Sequence, residues 1–244
     1  MSDYHAQARS IPTGRADMAV DAGLRAFMLG VYNKMALGLL LSGILAWVVG
    51  TTPALFNTLL TPPLAYAVMF GPLAILLISS FTMRNPSPVG ANLIYWSVVT
   101  LIGVGMGAIV YAYGRIPDGM TTVAKAFLIT SASFGALSLW GYTTKRDLSG
   151  WGVFLFMGVI GLIIASIVNM FVQSSMMSYI ISVVGVLIFA GLTAYDTQRL
   201  KFMYYDLVGN ARGIAVATTY GALSLYLDFI NMFMFILRLM SPRD

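Results

Sequence analysis

The sequence predicts an all-α integral membrane protein, a bundle of seven transmembrane helices, and two observations carry that expectation. Charged residues are 9% of the chain and the mean hydropathy is +0.83, whereas soluble domains carry about 25% charged residues. Seven separate stretches reach the roughly 20 apolar residues that cross a hydrocarbon core of about 30 Å. Such a chain is built for lipid.

Residues 1–25 form a polar tail in which Ser10, Pro12, Gly14 and scattered Arg and Asp show no apolar periodicity. Spans are expected at 27–49, 64–83, 90–113, 120–142, 150–172, 178–198 and 215–240, within a membrane domain of residues 26–240. Residues 241–244 make a short C-terminal tail. The first span is long enough to cross and has no small-residue cleavage site, so it is expected to be retained rather than removed as a signal peptide. Breakers mark the short connections: Thr51-Thr52-Pro53, Thr61-Pro62-Pro63, Asn85-Pro86-Ser87-Pro88, Arg115 to Gly119 and Lys145 to Gly150. Only the connection before the last span looks longer, and Gln198 to Tyr205 mixes basic and aromatic residues as an interfacial helix end does.

Short basic loops stay cytoplasmic. Arg9, Arg15, Arg25, Arg84, Lys145, Arg146, Arg199, Lys201 and Arg212 fall on the side of the tail, against Arg115, Arg238 and Arg243 opposite, with Lys34 and Lys125 inside span ends. A cytoplasmic N-terminus is expected. The net charge of +5 is spread over these loops and forms no basic run, so no nucleic-acid partner is expected. The chain has no cysteine and a single histidine, His5 in the tail. Disulfides, thiolate metal sites and histidine chemistry within the membrane are thereby excluded. Small residues spaced three or four apart, including Gly38, Ser42, Ala46, Gly103, Gly107, Ser131, Gly135, Gly158, Gly161 and Ala165, read as helix-packing positions. The 16 methionines read as adaptable filler.

All nine acidic residues are Asp, and only Asp196 and Asp228 fall in the spans. An ionised Asp at the bilayer centre costs about 2.5–3.5 kcal/mol on insertion scales, so it faces the bundle interior and needs a partner. Ser224, Asp228 and Asn231 share one helix face at i, i+4 and i+7, with Gly221 above and Arg238 below, and this polar stripe must look inward. Asp196 ends the sixth span, antiparallel to the seventh, so the two carboxylates can approach and titrate as a coupled unit. Arg84, at the inner end of the second span, is the cation at the right level to pair with Asp196 and complete a proton-sensitive latch.

Three segments then carry a resemblance: Gly135-Ala136-Leu137-Ser138-Leu139-Trp140-Gly141-Tyr142-Thr143-Thr144-Lys145-Arg146-Asp147-Leu148-Ser149, Thr193-Ala194-Tyr195-Asp196-Thr197-Gln198, and Gly221 to Asn231 with Leu225-Tyr226-Leu227-Asp228 at its centre. In this order and with this span count, the chain resembles the Bax inhibitor-1 (transmembrane Bax inhibitor motif) family over nearly its whole length after the tail. The resemblance implies a central helix wrapped by the other six and a pH-sensitive calcium leak. It maps the family's paired aspartates onto Asp196 and Asp228 and its latching arginine onto Arg84. The ending at Ser241-Pro242-Arg243-Asp244 lacks the charged tail frequent in animal and plant members, so the chain looks like a bacterial member, placed in the cytoplasmic (inner) membrane.

The expected function is therefore a calcium leak gated by the aspartate pair, with no enzymatic activity and no cofactor. Calcium enters only as a permeating or bound ion, with Asp196 and Asp228 as its carboxylates and Ser224 and Asn231 in support. Calcium takes six to eight oxygen ligands and this core offers few, which suits passage better than storage. The expected partners are the bilayer, calcium ions, protons and other membrane proteins. Two other classes compete: an enzyme like the intramembrane aspartyl proteases, and a scaffold for membrane proteins. Against the enzyme, Asp228 follows Leu225-Tyr226-Leu227 where those proteases place Gly-x-Gly.

Overall fold

In the computed structural model, described over residues 13–82 and 86–241, helices follow one another and no strand occurs among those residues. They are α1 (Thr13–Thr51), the short α2 (Pro53–Leu59), α3 (Leu64–Thr82), α4 (Pro88–Tyr113), α5 (Gly119–Thr143), α6 (Trp151–Val172), α7 (Ser175–Asp206) and α8 (Ala211–Met240). All but α2 are long and apolar enough to cross a membrane. The protein is an all-α membrane bundle, as the sequence predicts. Local chemistry fixes the ends. The side chains of Ser87, Ser174 and Asn210 each accept a hydrogen bond from the first turn of α4, α7 and α8, and Pro88 opens α4 where no N–H is needed.

Helix α8 is the most enclosed span and occupies the centre, packed against α1, α4, α5 and α7. Its Leu225, Tyr226 and Met232 are fully buried, against Val31 of α1 and Tyr95, Val98 and Val99 of α4 within one core. Helices α3 and α6 lie outside this set: α3 touches only α2 and α4, and α6 only α7. They leave Met69, Phe70, Phe81, Phe154, Met170 and Phe171 uncovered, surface that only lipid can solvate at low cost.

Two expectations about the ends are corrected. Helix α1 starts at Thr13, inside the stretch read as a polar tail without apolar periodicity, and its packing begins there: Leu24 is buried, as is Phe27 at the start of the expected span, whose ring lies 5.5 Å from Tyr204. Helix α7 runs on to Asp206, so the segment taken for a longer connection is helix, and only 207–210 join α7 to α8. At 1.5 Å per residue the 39-residue α1 is about 58 Å long, well beyond a ~30 Å core. The extended ends of α1 and α7 brace one another outside it.

The small residues divide into two groups. A Cβ on Gly103 would come within 2.7 Å of the Ser42 Cα, and one on Gly107 within 2.7 Å of Val49 Cγ1, so these glycines set the close approach of α1 and α4. Gly141 lies against the backbone carbonyl of Ala194, joining α5 to α7. Gly135 and Gly161, expected to pack, instead meet nothing within 4 Å of a Cβ. Their sequence spacing matches the packing glycines, but no neighbouring helix comes into contact with them. Gly141→Val is expected to destabilise the protein in detergent by about 1–3 kcal/mol through overpacking. Gly161→Ala is expected to leave thermal unfolding unchanged, and comparing the two melting curves checks the distinction.

Candidate functional site

The site forms where the last third of α7 packs against the middle of α8. Asp196 lies ten residues before the end of α7, ahead of the extension that runs beyond the expected span, and is 7% exposed. Its Oδ2 accepts a hydrogen bond from the Ser224 hydroxyl of α8. Asp228 is four residues along α8 from Ser224, about 6 Å further along the axis. It is 5% exposed, and its Oδ2 has no hydrogen-bond partner among the described residues. The two carboxylates lie within electrostatic reach of each other, staggered by about one helical turn.

Access to the two is unequal. Asp196 and Ser224 line a cavity of about 280 Å³ together with Arg199, Tyr220 and Leu227. A larger cavity of about 630 Å³ adjoins it at the α7–α8 turn, lined by Pro86, Asp206, Asn210 and Arg212, and the two share Met203 and Tyr220 as walls. Asp228 lines neither. Beyond it, α8 buries Met232, Phe233, Ile236 and Leu237, an apolar layer that closes the interior before the polar cavity of about 420 Å³ at Asn169, Ser182 and Arg238. The bundle is open to Asp196 from one end and sealed past Asp228 toward the other.

The remaining predicted residues behave differently. The Asn231 amide donates to Leu227 O of its own helix, 2.8 Å away, and Arg238 sits over the Phe235 ring at the far end, so the polar stripe does not act as one unit. Arg84 lies outside the described residues. No group of three or more Asp, Glu, His or Cys side chains that could hold a metal occurs among the described residues. A cation here would meet single carboxylates and hydroxyls rather than a cage.

Several features escaped the sequence reading. Arg199, one turn after Asp196 on the same helix, shares its cavity and acts on it electrostatically, although its charge read only as topogenic. Lys34 is held between α4 and α8, its ammonium donating to Asn92 Oδ1 and Thr219 Oγ1 at 2.7 Å each. Tyr95 donates to Lys34 O at 2.7 Å. Ser42 donates to Val99 O at 3.0 Å, which makes Tyr226 the donor in its 2.7 Å bond with Ser42. Gln198 is 3% exposed and clamps the α5–α6 loop to α7, accepting from Leu148 N and donating to Arg146 O, both at 2.8 Å. A glutamine two residues after a buried Asp was the available signal.

The three quoted segments thus meet in one place: Thr197 of α7 approaches Ser138 of α5 at 3.4 Å, and Asp196 meets Ser224 of α8. The family model described as Inhibitor of apoptosis-promoting Bax1 matches residues 24–244. The chain belongs to this Bax inhibitor-1 family. An uncharacterized protein of Caulobacter vibrioides is 52% identical, covering 97% of each chain. An uncharacterized protein of Rickettsia prowazekii is 37% identical over 100% of this chain and 99% of its own. The Inner membrane protein YbhL of Escherichia coli K12 is 36% identical, over 94% of this chain and 97% of its own. The resemblance stated from the sequence is borne out, and these relatives of the Bax inhibitor-1 chain are bacterial.

The Gln198 clamp makes a direct prediction. Gln198→Leu leaves Leu148 N and Arg146 O without their partners, at a cost of about 1–3 kcal/mol. Trypsin cleavage after Lys145 and Arg146 should accelerate accordingly, as read by gel against the unaltered protein in the same detergent.

Proposed function

We propose that this Bax inhibitor-1 chain is a pH-sensitive cation leak, with calcium the cation, in the bacterial inner membrane with its N-terminus cytoplasmic. One observation carries the reading: a buried carboxyl oxygen on the central helix, Asp228 Oδ2, has no hydrogen-bond partner among the described residues and lies about one turn from the Asp196–Ser224 pair. An unsatisfied carboxyl in the middle of a span is costly and is kept where protons or ions must bind. The cavities leading from the α7–α8 turn to Asp196 supply the entry on one side. The loops at that end carry most of the Lys and Arg, and the name of the Escherichia coli relative supports the inner membrane.

The mechanism follows from charge. With a carboxylate at Asp196 alone, Ser224 donates to it and a cation is attracted into the cavity. Two neighbouring carboxylates cannot both ionise cheaply, so an arriving proton is shared between them. Proton uptake removes the charge that draws the cation and releases the Ser224 bond. Arg84, in the role of latch, responds to the same loss of charge, and the balance of open and closed bundles shifts. The apolar layer after Asp228 must part for conduction, so the described arrangement is the closed one. The role is transport rather than catalysis.

Reconstituted liposomes carrying a calcium dye test this between roughly pH 6 and pH 8, a range in which coupled carboxyls can titrate. Asp228→Asn, which removes the charge and keeps the shape, is expected to lower flux by about tenfold, the order seen when a group supporting a bound metal is lost. Asp196→Asn should flatten the pH response. Flux that is absent from the unaltered protein, or the same in all three proteins at every pH, would remove the leak reading.

A further inference from the structure

Helices α1 and α5 both pack on α8 but do not touch each other. Between them runs a lateral groove. At one end it widens to a cavity of about 480 Å³, lined by Arg25, Met28 and Tyr32 of α1 and Phe134, Gly135 and Tyr142 of α5 among others. Phe229 meets Phe134 and Phe127 edge to face, 5.5 Å from each, and this row of rings makes a ridge between that cavity and the next. Past the ridge lies a second cavity of about 410 Å³, apolar and without a charged side chain, which includes Gly43.

Within a bilayer an apolar groove of this size does not hold water and does not stay empty. Its walls are built to leave room: Gly135 and Gly43 meet nothing within 4 Å of a Cβ, unlike the glycines that join helices here. A transmembrane helix is about 10–12 Å across, so about 480 Å³ accommodates little more than one turn. The space suits an acyl chain. Its mouth suits a phosphate. Arg25 is exposed and makes no hydrogen bond or ion pair with the described residues, the Tyr32 and Tyr142 side chains flank it, and the Lys201 ammonium lies 5.4 Å over the Tyr142 ring. An arginine fork matches phosphate oxygens, and tyrosines favour the headgroup level. From Arg25 to the ridge level near Leu39 is about 21 Å along α1, enough for the chain of one leaflet in a ~30 Å core.

We propose that the α1–α5 groove binds one anionic phospholipid from the leaflet at the Arg25 end, its phosphate on Arg25 and an acyl chain over Gly135. The ion reading above is not needed for this site, and lipid binding can be measured without flux. Native mass spectrometry of the full chain in detergent, with equal phosphatidylglycerol and phosphatidylcholine, is the test. The unaltered protein should retain phosphatidylglycerol about fivefold over phosphatidylcholine, the preference one arginine supplies near anionic lipid. Arg25→Gln should keep a bound lipid but lose the preference. Gly135→Phe should expel the lipid without lowering the melting temperature, and Gly43→Phe should leave headgroup preference intact. Should Gly135→Phe misfold, Gly135→Cys labelled after folding with a bulky maleimide replaces it, since the chain has no other thiol. Equal retention of both lipids by the unaltered protein, or lipid kept when Gly135 is blocked, overturns the proposal. A disulfide-linked dimer through Gly135→Cys in the membrane also overturns it, because a second chain would then cover the groove.

Discussion

The central helix has to bury a carboxyl group, and the rest of the bundle is arranged around that requirement. A span carrying Asp228 cannot face hydrocarbon without a penalty of several kcal/mol. Enclosure by α1, α4, α5 and α7 keeps the side chain 5% exposed and leaves α3 and α6, which carry no charged residue, on the outside. The tight approach of α1 to α4 through Gly103 and Gly107, and of α5 to α7 through Gly141, gives the enclosure its small diameter. Packing glycines here serve a polar centre rather than an oily one.

The centre is satisfied residue by residue, each time by a different neighbour. Thr219 of α8 takes a hydrogen bond from Lys34 of α1, Ser224 gives one to Asp196 of α7, and Tyr226 gives one to Ser42 of α1. These bonds fix the rotation of α8, since turning it would orphan several buried groups at once. Asp228 Oδ2 stands apart as the buried oxygen left without a partner among the described residues. That open valence on the central helix is what the proposed ion and proton role of Asp228 rests on.

Much of this was legible in the sequence, for reasons that also set the limit. Apolar run length fixed the seven spans, because the bilayer imposes one thickness on all of them. Helical periodicity put Asp228 on an inward stripe, because the cost of a charge in lipid admits one orientation. Pairings between helices were not legible: Ser224 was assigned to the Asp228 stripe but bonds Asp196, and the buried position of Lys34 depends on Asn92 and Thr219, 58 and 185 residues away. Gly135 and Gly161 show the same limit, since spacing names the face of a helix and not what stands opposite it. Helix ends outside the membrane were hidden too, because the brace between Phe27 and Tyr204 replaces the hydropathy signal there.

The seal beyond Asp228 is apolar, and this separates what pH can change from what it cannot. On the proposed reading protons act on Asp196 and Asp228, whereas the closing layer of Met232, Phe233, Ile236 and Leu237 contains nothing to titrate. Opening on that reading requires that a change of charge at the carboxyls be converted into movement of packed side chains about one to two and a half turns along α8. The conversion has a structural route. Phe229, adjacent to Asp228, packs edge-on against Phe127 and Phe134 of α5, and Phe233 of the seal faces Phe127 at 6.4 Å. These rings also form the floor and ridge of the α1–α5 groove. A lipid in that groove, as proposed, would lie against the same rings that adjoin the closing layer, so the two proposals converge on one aromatic layer.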